Sequence, residues 1–342
     1  LPFDPFERVS VGTTGLSLTR LGLGAAPLGG LYREVRDEDA IALIDHAWAM
    51  GIRSFDAAPL YGYGNGERRM GAALRDKPRD QFAFSTKVGR IAYPRDQIPV
   101  GADIDRQIQG DHEDAYYKGT PPVRMVFDYS YDGVMRSVDE SLTRLGLDRV
   151  DILYIHDPDD HWEQAISGAW PALRRLRDEG VVKAVGAGMN QVEMLIRFAR
   201  GAEMDLFMVA GRYTLLDPSA LDELMPLCLE RGIGVVIAGV MNSGILADPG
   251  PNPTFNYQPA PAEWVERARQ LRAACEELGV SVKAAAVQFA LAHPAVVSLV
   301  AGVRTPEHLD DYPDLMRTPI PARFWDELRS RRLIPEAAPV PA

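Results

Sequence analysis

Two kinds of apolar pattern alternate along this 342-residue chain. Short stretches that are apolar at nearly every position recur, each followed by a longer segment whose apolar residues are spaced three or four apart. The short stretches are LGLGAA (21–26), SFDAA (54–58), FAFSTK (82–87), DILYIH (151–156), VKAVGAG (182–188), LFMVAG (206–211), GVVIAG (234–239) and VSLVAG, which begins at Val297. A strand without polar alternation is buried on both faces, as in a parallel sheet. Helical spacing is clearest from Asp37 to Met50, where Ile41, Ile44 and Trp48 share a face and Asp37 is placed to cap the first turn. It recurs in 133–145 through Val134, Val138 and Leu142, and marks further helices over 67–74, 162–179, 191–200, 218–231, 263–278 and 281–292, with a short one from Thr305.

Eight strands alternating with helices predict a closed (β/α)8 (TIM) barrel, an α/β fold in a single domain spanning 1–342. An open doubly wound sheet would need a G-x-G-x-x-G turn after an early strand, and the spacing of Gly22, Gly24, Gly29 and Gly30 does not supply it. Before the barrel, Arg8 to Arg20 (RVSVGTTGLSLTR) reads as a β-hairpin around a Gly-Thr-Thr-Gly turn. One segment breaks the rhythm. Val88 to Asp132 is long and dense in Pro, Gly, Asp and Tyr, which predicts a long irregular loop after the third strand, disordered or functional as a lid.

Composition narrows the function classes. Lys and Arg number 37 against 48 Asp and Glu, a formal charge of −11 with no basic stripe, which argues against nucleic acid and anionic membrane as partners. No apolar run approaches the ~20 residues of a membrane span. Without a leader-like start at LPFDPFERVS, and with Cys228 and Cys275 as the only thiols, the expected compartment is the reducing cytoplasm. The run His156-Asp157-Pro158-Asp159-Asp160-His161 carries donors but no metal-ligand spacing, so no metal is expected. Oligomeric state is not readable.

In a barrel of this kind the loops at the carboxyl ends of the strands carry the chemistry. Those ends offer Asp56 and Tyr61 after the second strand, Lys87 at the end of the third and His156 at the end of the fourth. Singly, each has a structural account: a turn cap, a rim aromatic, a surface charge, a core histidine. Together they place an acid, a phenol, an amine and an imidazole at one mouth. A phenol titrates near ~10, and an ammonium a few Å away favours its ionised form, which predicts Tyr61 as proton-transfer group and Lys87 as its tuner. Asp56 supplies the counter-charge for a buried Lys87, and His156 donates a hydrogen bond to the substrate oxygen.

The same residues carry a resemblance. GIRSFDAAPLYGYGNGERRMG (51–71) resembles the signature of the aldo-keto reductases, with Gly51, Arg53, Asp56, Ala58, Tyr61, Glu67 and Met70-Gly71 in the matching places; FSTKVG and LYIHD match around Lys87 and His156. What the resemblance implies is a nicotinamide dinucleotide bound without a Rossmann motif. Its contacts, carried over residue by residue, are Asn190 for the carboxamide, where the family's serine is replaced by Met189; Tyr213 against the nicotinamide face, with Ala210 where a glutamine is common; and the MNSGIL loop (241–246), with Ser243, Gly244 and Leu246, around the pyrophosphate. Arg304 and His308 in GVRTPEHLDDY fall at the adenosine end. There Gly302 and Val303 offer no cation, and Asp310 and Asp311 would repel a 2′-phosphate, so NAD is expected over NADP.

APLGGLY, VFDYSYDGVMRS and VAGRYTLLD look most like the NAD-linked branch of the family that oxidises free aldoses such as L-fucose or D-threo-aldoses at C1, close to a branch acting on pyridoxal. The resemblance therefore implies oxidation of a cyclic hemiacetal, sugar or pyridoxal-like, to a lactone. The alternatives are an NADPH-dependent aldehyde or ketone reductase and, outside catalysis, a cofactor-sensing regulatory subunit.

Overall fold

The computed structural model of the chain describes residues 3–105 and 116–341. Two short antiparallel strands, β1 (Arg8–Ser10) and β2 (Ser17–Thr19), form the expected hairpin. Next come three barrel staves, β3 (Leu21–Gly24), β4 (Ser54–Asp56) and β5 (Ala83–Val88). A separate antiparallel ribbon, β6 (Arg90–Pro94) with β7 (Val123–Phe127), stands outside the barrel. Four more staves follow: β8 (Ile152–His156), β9 (Ala184–Met189), β10 (Leu206–Ala210) and β11 (Gly234–Ala238). After a minimal ribbon, β12 (Thr254–Phe255) with β13 (Gln258–Pro259), the last stave β14 (Val296–Ala301) pairs with β3 and closes the barrel.

Two apolar layers hold this arrangement. Inside the barrel, Ala83, Ile152, Ala184, Leu206, Val236 and Val297 pack around Val11, Leu16 and Leu18 of the hairpin. Because several of these open their strands, the hairpin stoppers the amino end and leaves the opposite end for chemistry. Outside, the strands pack against the helices in one continuous core. Parallel register sets the heights of the site residues: Asp56 lies beside Ser85, Lys87 beside Tyr154 and His156 beside Gly188.

Several elements differ from the sequence expectation. The helix Asp37–Met50 is capped at Arg36, not by the Asp37 side chain; that carboxylate instead receives Arg69 Nε at 2.7 Å. Its buried face is Ala40, Leu43, Ile44 and Ala47, with Ile41 and Trp48 only half-buried, because alanines let the helix backbone approach the barrel and push the larger side chains to the flanks. The helix expected over 162–179 is three pieces, Trp162–Gln164, a π turn Ala165–Ala169 and Trp170–Asp178. That over 218–231 is a 3-10 turn, Ser219–Leu221, followed by Leu224–Arg231. A helix at Ala322–Ser330, burying Phe324, Trp325 and Leu328, was not anticipated. The segment 88–132 is not irregular throughout, since β6 and β7 pair from Arg90↔Phe127 to Pro94↔Val123. Residues 106–115 of that expected loop lie outside the described residues.

Candidate active site

Asp56 ends β4, and the chain then turns tightly: Tyr61 N–H donates to Ala58 O and Gly66 N–H to Tyr61 O before the helix Asn65–Leu74 begins. The turn is pressed against the one that follows β3. A Cβ on Gly29 would sit 2.6 Å from Gly62 N and from Tyr61 C, and one on Gly62 would sit 2.2 Å from Gly29 O. Gly62 also has φ +65°, a conformation that costs other residues energy. Two glycines in backbone contact therefore fix the height of Tyr61.

Lys87 is 1% exposed and Asp56 3%. Lys87 Nζ donates to Asp56 Oδ2 at 2.6 Å and to Ala57 O at 2.9 Å, and Ser85 Oγ donates to Asp56 Oδ1 at 2.7 Å. Burial raises the Asp56 carboxyl pKa, while Lys87 and Ser85 oppose the rise. Lys87 Nζ lies 4.6 Å from the centre of the Tyr61 ring, and the His156 ring meets that ring edge-on at 5.8 Å and 90°. The four groups named from the sequence thus converge, with Tyr61 the least buried of them.

One expectation about their chemistry is corrected. Lys87 does not lower the Tyr61 pKa below its ordinary value. Burial holds it well above 10 and the Asp56 charge adds to the rise, because the Lys87 ammonium is already balanced at 2.6 Å by that carboxylate. In this state the phenol keeps its proton. His156 has the opposite perturbation: burial, then the Arg90 and Lys87 charges, push its pKa well below 6.5, so the imidazole is neutral at physiological pH. A neutral imidazole can donate one N–H to a substrate oxygen without bringing a charge.

Around His156 lies a buried polar frame that the sequence reading did not find. Arg90 Nη1 donates to His156 O at 2.8 Å, Arg90 Nε to the buried Asp105 Oδ2 at 2.6 Å, and Tyr129 OH to His156 O at 2.6 Å and Asp157 O at 2.9 Å. Asp157 has φ +42°, and its Oδ2 lies 3.4 Å from His156 Nε2 and 3.8 Å from Arg90 Nη2. The only available signal was the HD pair itself; Arg90 and Asp105 looked like ordinary loop charges. Tyrosines flank the mouth: Tyr117 lies 6.4 Å from Tyr61 between ring centres, and Tyr116 stacks on Tyr257 at 5.8 Å. Gln258 Nε2 donates to Tyr116 OH at 2.7 Å, tying the loop after β11 to the chain near residue 116. Beneath Asp56 the barrel encloses a void of only about 10 Å³. That is room for one water at most.

The expected dinucleotide contacts are placed unevenly. Asn190, half-exposed, follows β9 at the mouth. Ser243 is exposed with φ +60° in a turn pinned by Asn242, whose side chain accepts from Thr214 Oγ1 at 2.7 Å and donates to Gly211 O at 3.0 Å. Gly244 N–H is engaged by Met241 O at 3.0 Å, so it does not point free as expected, and the Leu246 side chain is in the core. Tyr213 is fully buried, stacked on Phe289 at 5.5 Å with His293 against its edge. It offers no ring face to a nicotinamide, because the helix Val282–Leu291 covers it.

His308 is exposed, and Arg304 Nη2 donates to Leu31 O at 2.7 Å while its buried Nε has no partner. Arg33 stands close enough to depress the Arg304 pKa further, after burial. Two neighbouring guanidiniums and an orphaned N–H fit an anionic group such as a dinucleotide phosphate. The acids expected to repel a 2′-phosphate are turned elsewhere, Asp310 to His46 at 2.6 Å and Asp311 to Lys283 at 3.6 Å.

Comparison with known proteins adds to this geometry. The profile of the Aldo/keto reductase family matches residues 20–332. The chain is 43% identical to pyridoxal 4-dehydrogenase of Microbacterium luteolum, over 96% of this chain and 98% of the relative. It is 42% identical to D-threo-aldose 1-dehydrogenase of a Pseudomonas species, over 94% and 96%. Against L-galactose dehydrogenase of Arabidopsis thaliana the identity is 30%, over 89% and 86%. In fold it is similar to an aldo-keto reductase of Bacillus halodurans in its holo form, with TM-score 0.73 at 23% identity over 97% of this chain and 98% of that one. Among the described residues no helix is long and apolar enough to cross a membrane.

Proposed function

The chain belongs to the aldo/keto reductase family of oxidoreductases, and on that premise we propose that it oxidises a cyclic hemiacetal at its CH–OH carbon to a lactone. The proposed substrate is an aldose such as L-fucose or a D-threo-aldose. The observation that carries this reading is the convergence of Tyr61, His156 and the Lys87–Asp56 pair at one barrel mouth.

Members of the family use nicotinamide dinucleotides, and when bound the cofactor supplies the hydride acceptor. The chain's own groups do the rest. Tyr61, once ionised to the phenolate, takes the hydroxyl proton in oxidation, and as the phenol it returns that proton in the reverse direction. Neutral His156 donates its N–H to the reacting oxygen and orients the carbon. Lys87, held by Asp56, keeps a positive charge 4.6 Å from the Tyr61 ring, where negative charge develops as the phenol ionises. Asn190, Ser243, Arg304 and His308 are the proposed cofactor contacts, to which Arg33 is added. Gly244 and Leu246 act only by shaping the loop, and Tyr213 by packing behind it.

NAD remains the proposed cofactor, because Gly302 and Val303 bring no cation to the adenosine end. Its support no longer includes Asp310 and Asp311, and the Arg33–Arg304 pair gives NADP a foothold. A second substrate reading, pyridoxal to its 4-lactone, is favoured by the tyrosine cover at Tyr117 and Tyr257, whose ring faces suit a flat heteroaromatic. A panel of L-fucose, D-arabinose and pyridoxal, each with NAD and with NADP, tests both. Lactone formation with NAD is expected; faster aldehyde reduction with NADPH than any oxidation with NAD would replace this reading with a carbonyl reductase.

A further inference from the structure

We infer that Asp157 is a specificity-determining residue whose carboxylate accepts a hydrogen bond from the substrate hydroxyl next to the reacting carbon. This inference rests on the hemiacetal-oxidation reading above and says which hemiacetals the site prefers.

The backbone shows that the placement is enforced. Asp157 has φ +42°, a left-handed conformation that few residues with a side chain adopt, aspartate among the more tolerant of them. Tyr129 OH grips the carbonyls on both sides of it, donating to His156 O at 2.6 Å and to Asp157 O at 2.9 Å. Arg90 Nη1 adds a second donor to His156 O at 2.8 Å, and Asp157 N–H reaches Gly188 O at 3.2 Å. Strain maintained by buried partners is found where a side chain must be aimed.

The side chain has capacity to spare. It is 22% exposed, and its Oδ2 lies 3.4 Å from His156 Nε2 and 3.8 Å from Arg90 Nη2, both long for hydrogen bonds. A carboxylate has about four acceptor sites, so these two loose contacts leave it able to accept from a hydroxyl. Its position is the informative part. Oδ2 lies 3.4 Å from Nε2 of the imidazole to which the proposed reaction assigns the substrate oxygen. Oxygens on adjacent sugar carbons are separated by a similar span, so a hydroxyl next to the one held by His156 falls within reach of Asp157.

Charge coupling supports the same placement. Asp157 contributes to the raised pKa of both Tyr61 and Tyr257, so its charge is felt at both rings. The groups around it are Arg90 and Lys87, which favour its ionised form, Asp159 and Asp105, which oppose it, and His156, Tyr129, Tyr61 and Tyr257. Burial is the largest influence and lifts its pKa to about 6.

The test compares D-arabinose with 2-deoxy-D-ribose, the same sugar without the hydroxyl beside the anomeric carbon. The full chain and Asp157→Asn are assayed with NAD for kcat and KM, with NAD affinity from fluorescence titration and a thermal melt as controls. Asp157→Gly is the second variant, because glycine accepts φ +42° while removing the carboxylate. Loss of one charge-assisted hydrogen bond lowers kcat/KM for D-arabinose by roughly 10- to 100-fold in both variants, chiefly through KM, and leaves 2-deoxy-D-ribose and NAD affinity nearly unchanged. In the parent protein, KM for D-arabinose alone rises as pH falls below about 6. Equal losses on both sugars overturn the inference and leave the hemiacetal reading standing. Failure of the parent protein to oxidise D-arabinose overturns the inference, and failure on L-fucose and pyridoxal as well overturns the hemiacetal reading with it.

Discussion

Replacing Asp56 with asparagine removes the charge that faces the Lys87 ammonium inside the barrel. The ammonium has 1% of its side-chain surface exposed and the carboxylate 4%, with 2.6 Å between them. Truncating one partner of a buried pair costs about 3–5 kcal/mol, whereas removing both together is often neutral or stabilising. Asparagine keeps one acceptor for Lys87 Nζ, and the Ala57 O bond at 2.9 Å persists, which puts Asp56→Asn at the lower end, about 3 kcal/mol. With an m-value of roughly 3 kcal/mol per molar urea, the unfolding midpoint falls by about 1 M. Lys87→Met alone strands the carboxylate and costs at least as much. The double variant Asp56→Asn/Lys87→Met recovers most of the loss, because neither charge is left unpaired. Urea titrations followed by tryptophan fluorescence on all four proteins close the cycle. Single variants with unchanged midpoints, or a double variant whose loss is the sum of the two, would refute the claim that these groups form one coupled pair. All three variants lose turnover, so stability and activity separate in the double variant.

Other outcomes follow from the same geometry. Gly29→Ala, whose new Cβ would sit 2.6 Å from the Tyr61 backbone, lowers kcat by about tenfold or more through displacement of the phenol, read by steady-state kinetics beside a melt that also falls below the parent's. Gly71→Ala places a Cβ 1.9 Å from Leu145 O and costs about 1–3 kcal/mol or more, seen as a lower urea midpoint. With Tyr61 in its proposed role, oxidation needs the phenolate; since burial raises that pKa well above 10, the oxidation rate climbs with pH through the alkaline range, while carbonyl reduction, which needs the phenol, stays flat there. A plateau in oxidation rate near neutrality would contradict this sign. Arg33→Ala weakens NADP binding more than NAD binding in a fluorescence titration, because its charge is felt at Arg304.

The barrel was readable because its staves are apolar at almost every position, a pattern that survives without knowledge of partners. Asp56, Lys87 and His156 were readable because each ends a strand, and Tyr61 because it lies in the turn directly after one. Features that depend on distant pairing were not. β6 and β7 find each other across an intervening segment of mixed composition, so neither RIAYP nor VRMVF announces a ribbon. Arg90 and Asp105 form a buried pair that, in sequence, looks like two solvated loop charges. Tyr213 differs for a related reason: the resemblance implies a place against the nicotinamide, and the packing of Phe289 shows that it faces a helix. The helix Ala322–Ser330 is different, since Phe324, Trp325 and Leu328 carry a helical spacing that was present and overlooked.

The central claim is that Tyr61 moves the proton while the dinucleotide is held by other groups. Tyr61→Phe, measured for turnover of a hemiacetal substrate and for NAD affinity in the same preparation, addresses it most directly. The account predicts a fall in kcat of roughly a hundred- to ten-thousand-fold with NAD affinity essentially that of the parent. Turnover close to the parent's, with the phenol oxygen gone, would contradict it.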